Sequence, residues 1–128
     1  DRVVFAGYVP EEEKVDHYRV ADAFVMPGRT EGFGIVYLEA LACGVPVVAS
    51  EADASQEAVR GGELGTVVDP EDLDSVKSGI LSALNEPHGV PDGLGYFSVE
   101  RFRGRWQHVL ENCFRKEASS VGGRTFGK

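Results

Sequence analysis

Apolar residues fall in short runs separated by glycine, proline and acidic turns, and the runs alternate between two spacings. Those at residues 3–5, 23–26, 46–50 and 65–68 are brief and rich in valine and phenylalanine, as strands buried on both faces of a parallel sheet should be. Between them lie stretches with helical spacing. Residues 10–22 are predicted to form a helix with Pro10 in its first turn, and Glu11, Glu12 and Glu13 suit the positive end of its dipole. A second helix is predicted over residues 35–43, ended by Gly44, and a short one over residues 53–60.

Asp69 reads as an N-cap with Pro70 starting a helix that carries Leu73, Val76, Ile80, Leu81 and Leu84 toward a core and stops before Pro87. Residues 86–95 form a turn-rich loop. Ser98 can then cap a last helix with Phe102, Trp106, Val109, Leu110, Cys113 and Phe114 on one face, read as core or docking residues. Residues 118–128 have little to bury and are predicted to be a disordered tail after one domain at residues 1–117. The alternation predicts an α/β fold, a partial Rossmann-like parallel sheet of about four strands flanked by helices.

Composition narrows the function classes. Acidic residues outnumber basic ones by 21 to 13, and the net charge of -8 disfavours a general basic field for nucleic acid or anionic lipid. Cys43 and Cys113 lack metal-ligand spacing and read as reduced core thiols. The first residues have no signal-peptide organisation and no initiating methionine, so a cytoplasmic location is expected, with the inner membrane face as an alternative, for what could be a piece of a longer protein.

The chemistry concentrates at residues 31–39, EGFGIVYLE. Glu39 is the one carboxylate in an otherwise apolar run, and burying it without partners would cost several kcal/mol. It must meet solvent, a neighbouring donor or a polar ligand. The loop from Pro27 to Gly34 sits between a strand and a helix, where open parallel sheets bind ligands. Gly32 and Gly34 let a ligand oxygen approach the amides of Phe33, Gly34 and Ile35 at the helix start. Carboxylates only accept hydrogen bonds, so Glu31 and Glu39 suit hydroxyl-rich ligands, and the amides suit phosphate. Two sugars joined by a diphosphate would satisfy both.

The stretches VVFAGYVP, HYRVADAFVMPGRTEGFGIVYLEALACGVPVVAS, Glu57 and GELGTVVDPEDL resemble family 4 of the retaining glycosyltransferases of the two-domain GT-B type, over about residues 3–86. The resemblance implies the C-terminal, donor-binding half of such an enzyme, truncated at its N-terminal side. Glu39 would then bond the ribose hydroxyls, and Glu31 would act at the transferred sugar as the catalytic candidate. Gly32, Phe33, Gly34 and Ile35 would line the sugar and diphosphate of a nucleotide diphosphate sugar. No resident cofactor or metal is expected, and the acceptor, a sugar, lipid or small molecule, would be held by an absent N-terminal domain. The family's diphosphate-binding Arg and Lys lie ahead of this stretch, leaving Arg29 as the nearest basic substitute. Where the family often has paired glycines, this chain has Ala52, Asp53, Ala54 and Ser55. Glu57 has no catalytic reason to be present and is expected to make a local hydrogen bond.

Without the two βα units that precede it in the family, the strand at residues 3–5 must sit at a new edge, stay loosely attached or pair with another chain. Marginal stability and self-association through the exposed edge are therefore expected. The competing reading is a truncated, noncatalytic nucleotide-binding or interaction module. Asp72 and Asp74 form a DxD pattern at a helix start, which a helix dipole explains without metal. His17, His88 and His108 read as surface or capping residues, and no phosphate-cradling or dinucleotide glycine motif is present. A receiver-like domain would need an acidic cluster where this chain has AGYVP.

Overall fold

The computed structural model describes residues 2–121, with side chains through Arg115. In chain order the elements are α1 (Glu11–Arg19), β1 (Phe24–Val25), α2 (Ile35–Ala42), β2 (Val47–Ser50), α3 (Ser55–Ala58), a 3₁₀ turn (Arg60–Gly62), β3 (Thr66–Val68), α4 (Leu73–Ala83), a second 3₁₀ turn (Asp92–Phe97) and α5 (Val99–Val121). The three strands run parallel in the order β1-β2-β3, with Phe24 beside Val47, Val48 beside Thr66 and Ser50 beside Val68. The α/β class is as expected, with three strands where about four were predicted.

The central strand β2 is buried along its whole length. Side chains alternate across a strand, so its residues divide between two layers. Val48 packs with Val68 and Ala83, and Ala23, Val76 and Ile80 close that cluster beneath α4. Val47, on the other face, lies beside Val59 and Gly65. Burying a valine in this way contributes roughly 1.5–3 kcal/mol. Helix α4 approaches the sheet through Gly79, where a Cβ would overlap Cγ1 of Val68 and reach 3.3 Å from Cγ2 of Thr66.

Four expectations need correction. Residues 3–5 form no strand: Val3, Val4 and Phe5 are 67%, 85% and 94% exposed, as befits a segment with no neighbouring strand to pair with among the described residues. Asp69 does not cap α4. Its Oδ1 accepts from the amide of Glu71 at 2.9 Å in a turn, and Asp72 is the cap, accepting from the amide of Asp74 at 3.0 Å. Leu73 is 80% exposed, because it opens the helix one turn before the face that meets the sheet. Cys113 is exposed and Cys43 only half-buried, so neither is a fully buried core thiol.

The chain divides into one unit up to Leu94 and another from Gly95. In the second, Ser98 Oγ accepts from the amide of Arg101 at 3.3 Å, the expected cap of α5. Phe102 and Trp106 meet edge to face at 6.2 Å, and the Arg105 guanidinium lies 4.3 Å from the centre of the Tyr96 ring. Phe102, Trp106, Val109, Leu110 and Phe114 remain about half exposed or more. Helix α5 includes Ala118 through Val121, and the rest of the predicted tail lies outside the described residues. Among the described residues no helix is long and apolar enough to cross a membrane.

The close approach at Gly79 gives a stability test. Gly79→Ala is expected to lower unfolding free energy by about 1–3 kcal/mol, because overpacking against Val68 outweighs the better helix propensity of alanine. Urea denaturation checks this, and an unchanged or raised midpoint would contradict the packing.

Candidate functional site

The loops after the three strands meet at the carboxyl end of the sheet and are tied to one another. The first loop, residues 26–34, carries Glu31. Its backbone N–H donates to Asp53 Oδ2 at 3.1 Å, and its carbonyl accepts from the amide of Ala54 at 3.3 Å. Asp53 belongs to the loop after β2, and its Oδ1 accepts from the amide of Ser55 at 3.0 Å. Ser55 Oγ accepts from the amide of Ser50 at 3.0 Å and donates to the Ser50 carbonyl at 3.3 Å, both serines being fully buried. Arg29 reaches the loop after β3 and pairs with Glu71.

Helix α2 begins where the first loop ends, at Gly34, whose φ is +84° and ψ is 58°. Any side chain there would be strained and would overlap the ring of Tyr37. That ring is buried, edge to face with Phe24 at 5.5 Å, and its hydroxyl donates to the carbonyl of Met26. The glycine and the tyrosine together fix the corner between loop and helix. The amides of Gly34 and Ile35 have no acceptor among the described residues.

Glu31 turns back on its own loop. Its Oε1 accepts from the amides of Gly32 at 3.0 Å and Phe33 at 3.4 Å, while Oε2 has no hydrogen bond among the described residues. Glu39 lies one turn into α2 and faces α1 instead. Its Oε2 accepts from the Tyr18 hydroxyl at 2.9 Å, and its Oε1 lies 3.6 Å from Lys14 Nζ. The carboxylate thus has neighbouring donors, yet its side chain is 32% exposed and carries lone pairs beyond these two contacts. No interaction joins Glu31 to Glu39 among the described residues.

Charge at the site follows from these contacts. Burial pushes the Asp53 carboxyl up, but hydrogen bonds from Ser55 and from the Glu31 amide outweigh it and hold the group below its ordinary value. Burial raises the Tyr37 phenol, against a hydrogen bond with Ser55 that lowers it and with added push from the Asp53 and Glu31 carboxylates. Burial and the bond to Glu39 raise Tyr18. Lys14 is raised by its bond to Glu11 and, less, by Glu39.

The residues expected from sequence to form the site, Glu31, Gly32, Phe33, Gly34, Ile35 and Glu39, lie in the loop just before α2 or in its first turns. Sequence reasoning missed Asp53 as a tie between loops, and Tyr18 and Lys14 as donors to Glu39. Asp53 two residues before Ser55 is an Asx-turn pattern that could have been read; the partners of Glu39 come from another helix and leave no local signal. Arg29 is held by Glu71 rather than open to solvent alone. Glu57 is exposed, and its side chain makes no hydrogen bond among the described residues.

A cavity of about 530 Å³ opens at the opposite end of the sheet, beside Pro46 and Gly65, which precede β2 and β3. The acidic groups that line it are Glu63 and Glu86, and Glu63 is paired with Arg60 at 3.0 Å.

The family model described as "Glycosyl transferases group 1" matches residues 1–95. The chain belongs to this family. It is 46% identical over 94 residues, 68% of its length, to a GDP-mannose-dependent alpha-(1-6)-phosphatidylinositol monomannoside mannosyltransferase of Mycolicibacterium smegmatis, covering 25% of that protein. It is 44% identical over 111 residues, 87% of its length, to a D-inositol 3-phosphate glycosyltransferase of Acidothermus cellulolyticus, covering 25% of it. It is 34% identical over 123 residues, 95% of its length, to the lipopolysaccharide core biosynthesis mannosyltransferase LpcC of Rhizobium leguminosarum, covering 32%. The chain therefore spans about a quarter to a third of these group 1 relatives.

A lowered carboxyl contributes stability above its ordinary range, and that contribution fades as pH falls through the lowered value. Asp53 is therefore expected to titrate with a midpoint below 3.8, its ties to Glu31 and Ser55 persisting until then. Side-chain carboxyl NMR shifts followed from pH 6 to about 2 check this. A midpoint at or above the ordinary value would contradict the geometry.

Proposed function

We propose that this chain is the donor half of a retaining glycosyltransferase, binding a nucleoside diphosphate sugar at the carboxyl end of its sheet. The observation that carries the reading is the corner at Gly34, where the amides of Gly34 and Ile35 have no acceptor among the described residues, with Glu31 just before the helix and Glu39 one turn inside it. Glu39 receives the ribose hydroxyls while Tyr18 and Lys14 hold its carboxylate. The amides of Gly34 and Ile35 meet the diphosphate, which finds no nearby arginine to itself because Arg29 is engaged by Glu71. Glu31 offers Oε2 to a hydroxyl of the transferred sugar. No metal is required in this arrangement, since helix-end amides stabilise the charge left on the departing diphosphate.

The donor is inferred to be a guanosine diphosphate hexose of the mannose type, a reading supported by the M. smegmatis relative, whose name calls it GDP-mannose-dependent. The acceptor is held by a part of the enzyme outside this chain, and transfer at the cytoplasmic side fits a cytoplasmic nucleotide sugar. A second reading, a nucleotide-binding or interaction module without transfer, is favoured by one feature: Glu31 and Glu39 each already accept a hydrogen bond from the protein before any ligand arrives.

Calorimetric titration with GDP and GDP-mannose tests the donor reading. Both are expected to bind saturably. Glu39→Ala should weaken both by about tenfold or more, as for a lost hydrogen bond to a charged group. Glu31→Ala should weaken GDP-mannose and leave GDP nearly unchanged. Saturable binding of neither nucleotide, or equal losses in the two variants, would contradict the assignment.

A further inference from the structure

Among the charged groups of the strand-end loops that the donor reading does not use, Asp53 joins two of the loop segments through its side chain. Asp53 stands where the resemblance leads one to expect a glycine, and a glycine there could make none of the contacts its carboxylate makes. Each oxygen accepts one backbone N–H from a different segment: Oδ2 from Glu31 at 3.1 Å and Oδ1 from Ser55 at 3.0 Å. The backbone contact from the Ala54 amide to the Glu31 carbonyl, at 3.3 Å, lies alongside. The Ser55 end is anchored in the buried serine pair that closes β2, so the carboxylate connects a fixed point in the sheet to the Glu31 backbone.

We propose that Asp53 is a positioning residue for the donor sugar: by bridging the amides of Glu31 and Ser55 it fixes the Glu31 backbone, and so sets where the Glu31 carboxylate meets the transferred sugar. This rests on the donor-site reading above. Asp53 acts through Glu31 and does not itself touch the ligand. Its effect therefore falls on the sugar part of the donor and leaves the nucleotide part, held by Glu39 on α2, untouched.

Asp53→Asn is the discriminating variant. Asparagine keeps the shape but has one acceptor oxygen, and its NH₂ would oppose a backbone N–H, so only one of the two bonds survives. Two measurements are made on the whole chain. In the ligand-free protein, amide hydrogen exchange at Glu31 and Gly32 is expected to quicken about tenfold or more in Asp53→Asn, because the local Asx turn to Ser55 keeps the single oxygen, Glu31 loses its acceptor and its carboxylate no longer rests steadily on Gly32. By calorimetry, the ratio of GDP-mannose affinity to GDP affinity is expected to fall at least about threefold, with GDP affinity held within about twofold. Asp53→Glu, which restores the two carboxylate acceptors, should recover part of that ratio. Unchanged exchange at Glu31 and Gly32 would overturn the proposal. Equal weakening of GDP and GDP-mannose would overturn it too, marking Asp53 as a structural residue only. If the unaltered chain binds neither nucleotide, the donor reading fails and this inference with it; if it binds both with a ratio that Asp53→Asn does not alter, this inference alone fails.

Discussion

At Gly34 the backbone enters α2 through a left-handed turn, and the ring of Tyr37 fills the space any other side chain would require. Several consequences follow from that one corner. It brings the loop after β1 into the helix without a side-chain cap, leaving the amides of Gly34 and Ile35 without acceptors among the described residues. It sets Glu31 just outside the helix and Glu39 one turn inside it. It also fastens the corner to the sheet, because the Tyr37 hydroxyl holds the Met26 carbonyl at the end of β1 and its ring meets Phe24 edge to face. A replacement at Gly34 would thus disturb helix, strand end and both carboxylates together.

The electrostatics of this mouth are balanced by neighbours. Glu39 is supported by a phenol and an ammonium, Glu31 by two loop amides, Asp53 by two more, and Arg29 by Glu71. Each carboxylate keeps acceptor capacity beyond these partners, so a hydroxyl-rich ligand adds bonds without first breaking them. A phosphate, by contrast, finds its welcome only at the helix-start amides. The cavity at the amino end of the sheet, about 530 Å³, is lined by only two carboxylates, Glu63 and Glu86, and one of these is already paired with Arg60.

Much of the architecture was legible because the periodicities are strong: β2 is an unbroken apolar run, and α2 stops at Gly44 as glycine predicts. The errors share a cause, namely that local pattern does not report partners distant in sequence. Residues 3–5 look like a strand, but a strand needs a neighbour, and none pairs with them among the described residues. Leu73 fits the helical stripe of α4, yet the sheet is met only from Val76 onward. Asp69 and Asp72 are equally good caps by composition, and the chain's turn at Glu71 selects the second. At the site, the glycines and the two glutamates stand out in the sequence. The bridge from Asp53 to Glu31 spans 22 positions, and Tyr18 meets Glu39 across 21, so both emerged only with the fold.

The central claim, that the donor is held by the corner at Gly34 and the loops tied to it, is tested most directly by mapping where GDP-mannose touches the chain. In two-dimensional amide NMR of the uniformly labelled protein, saturating shifts are expected at residues 31–39, with smaller ones at residues 51–55. Shifts confined to residues 61–67 and 86–91, around the cavity at the opposite end of the sheet, would contradict the account, as would a spectrum that the nucleotide sugar leaves unchanged.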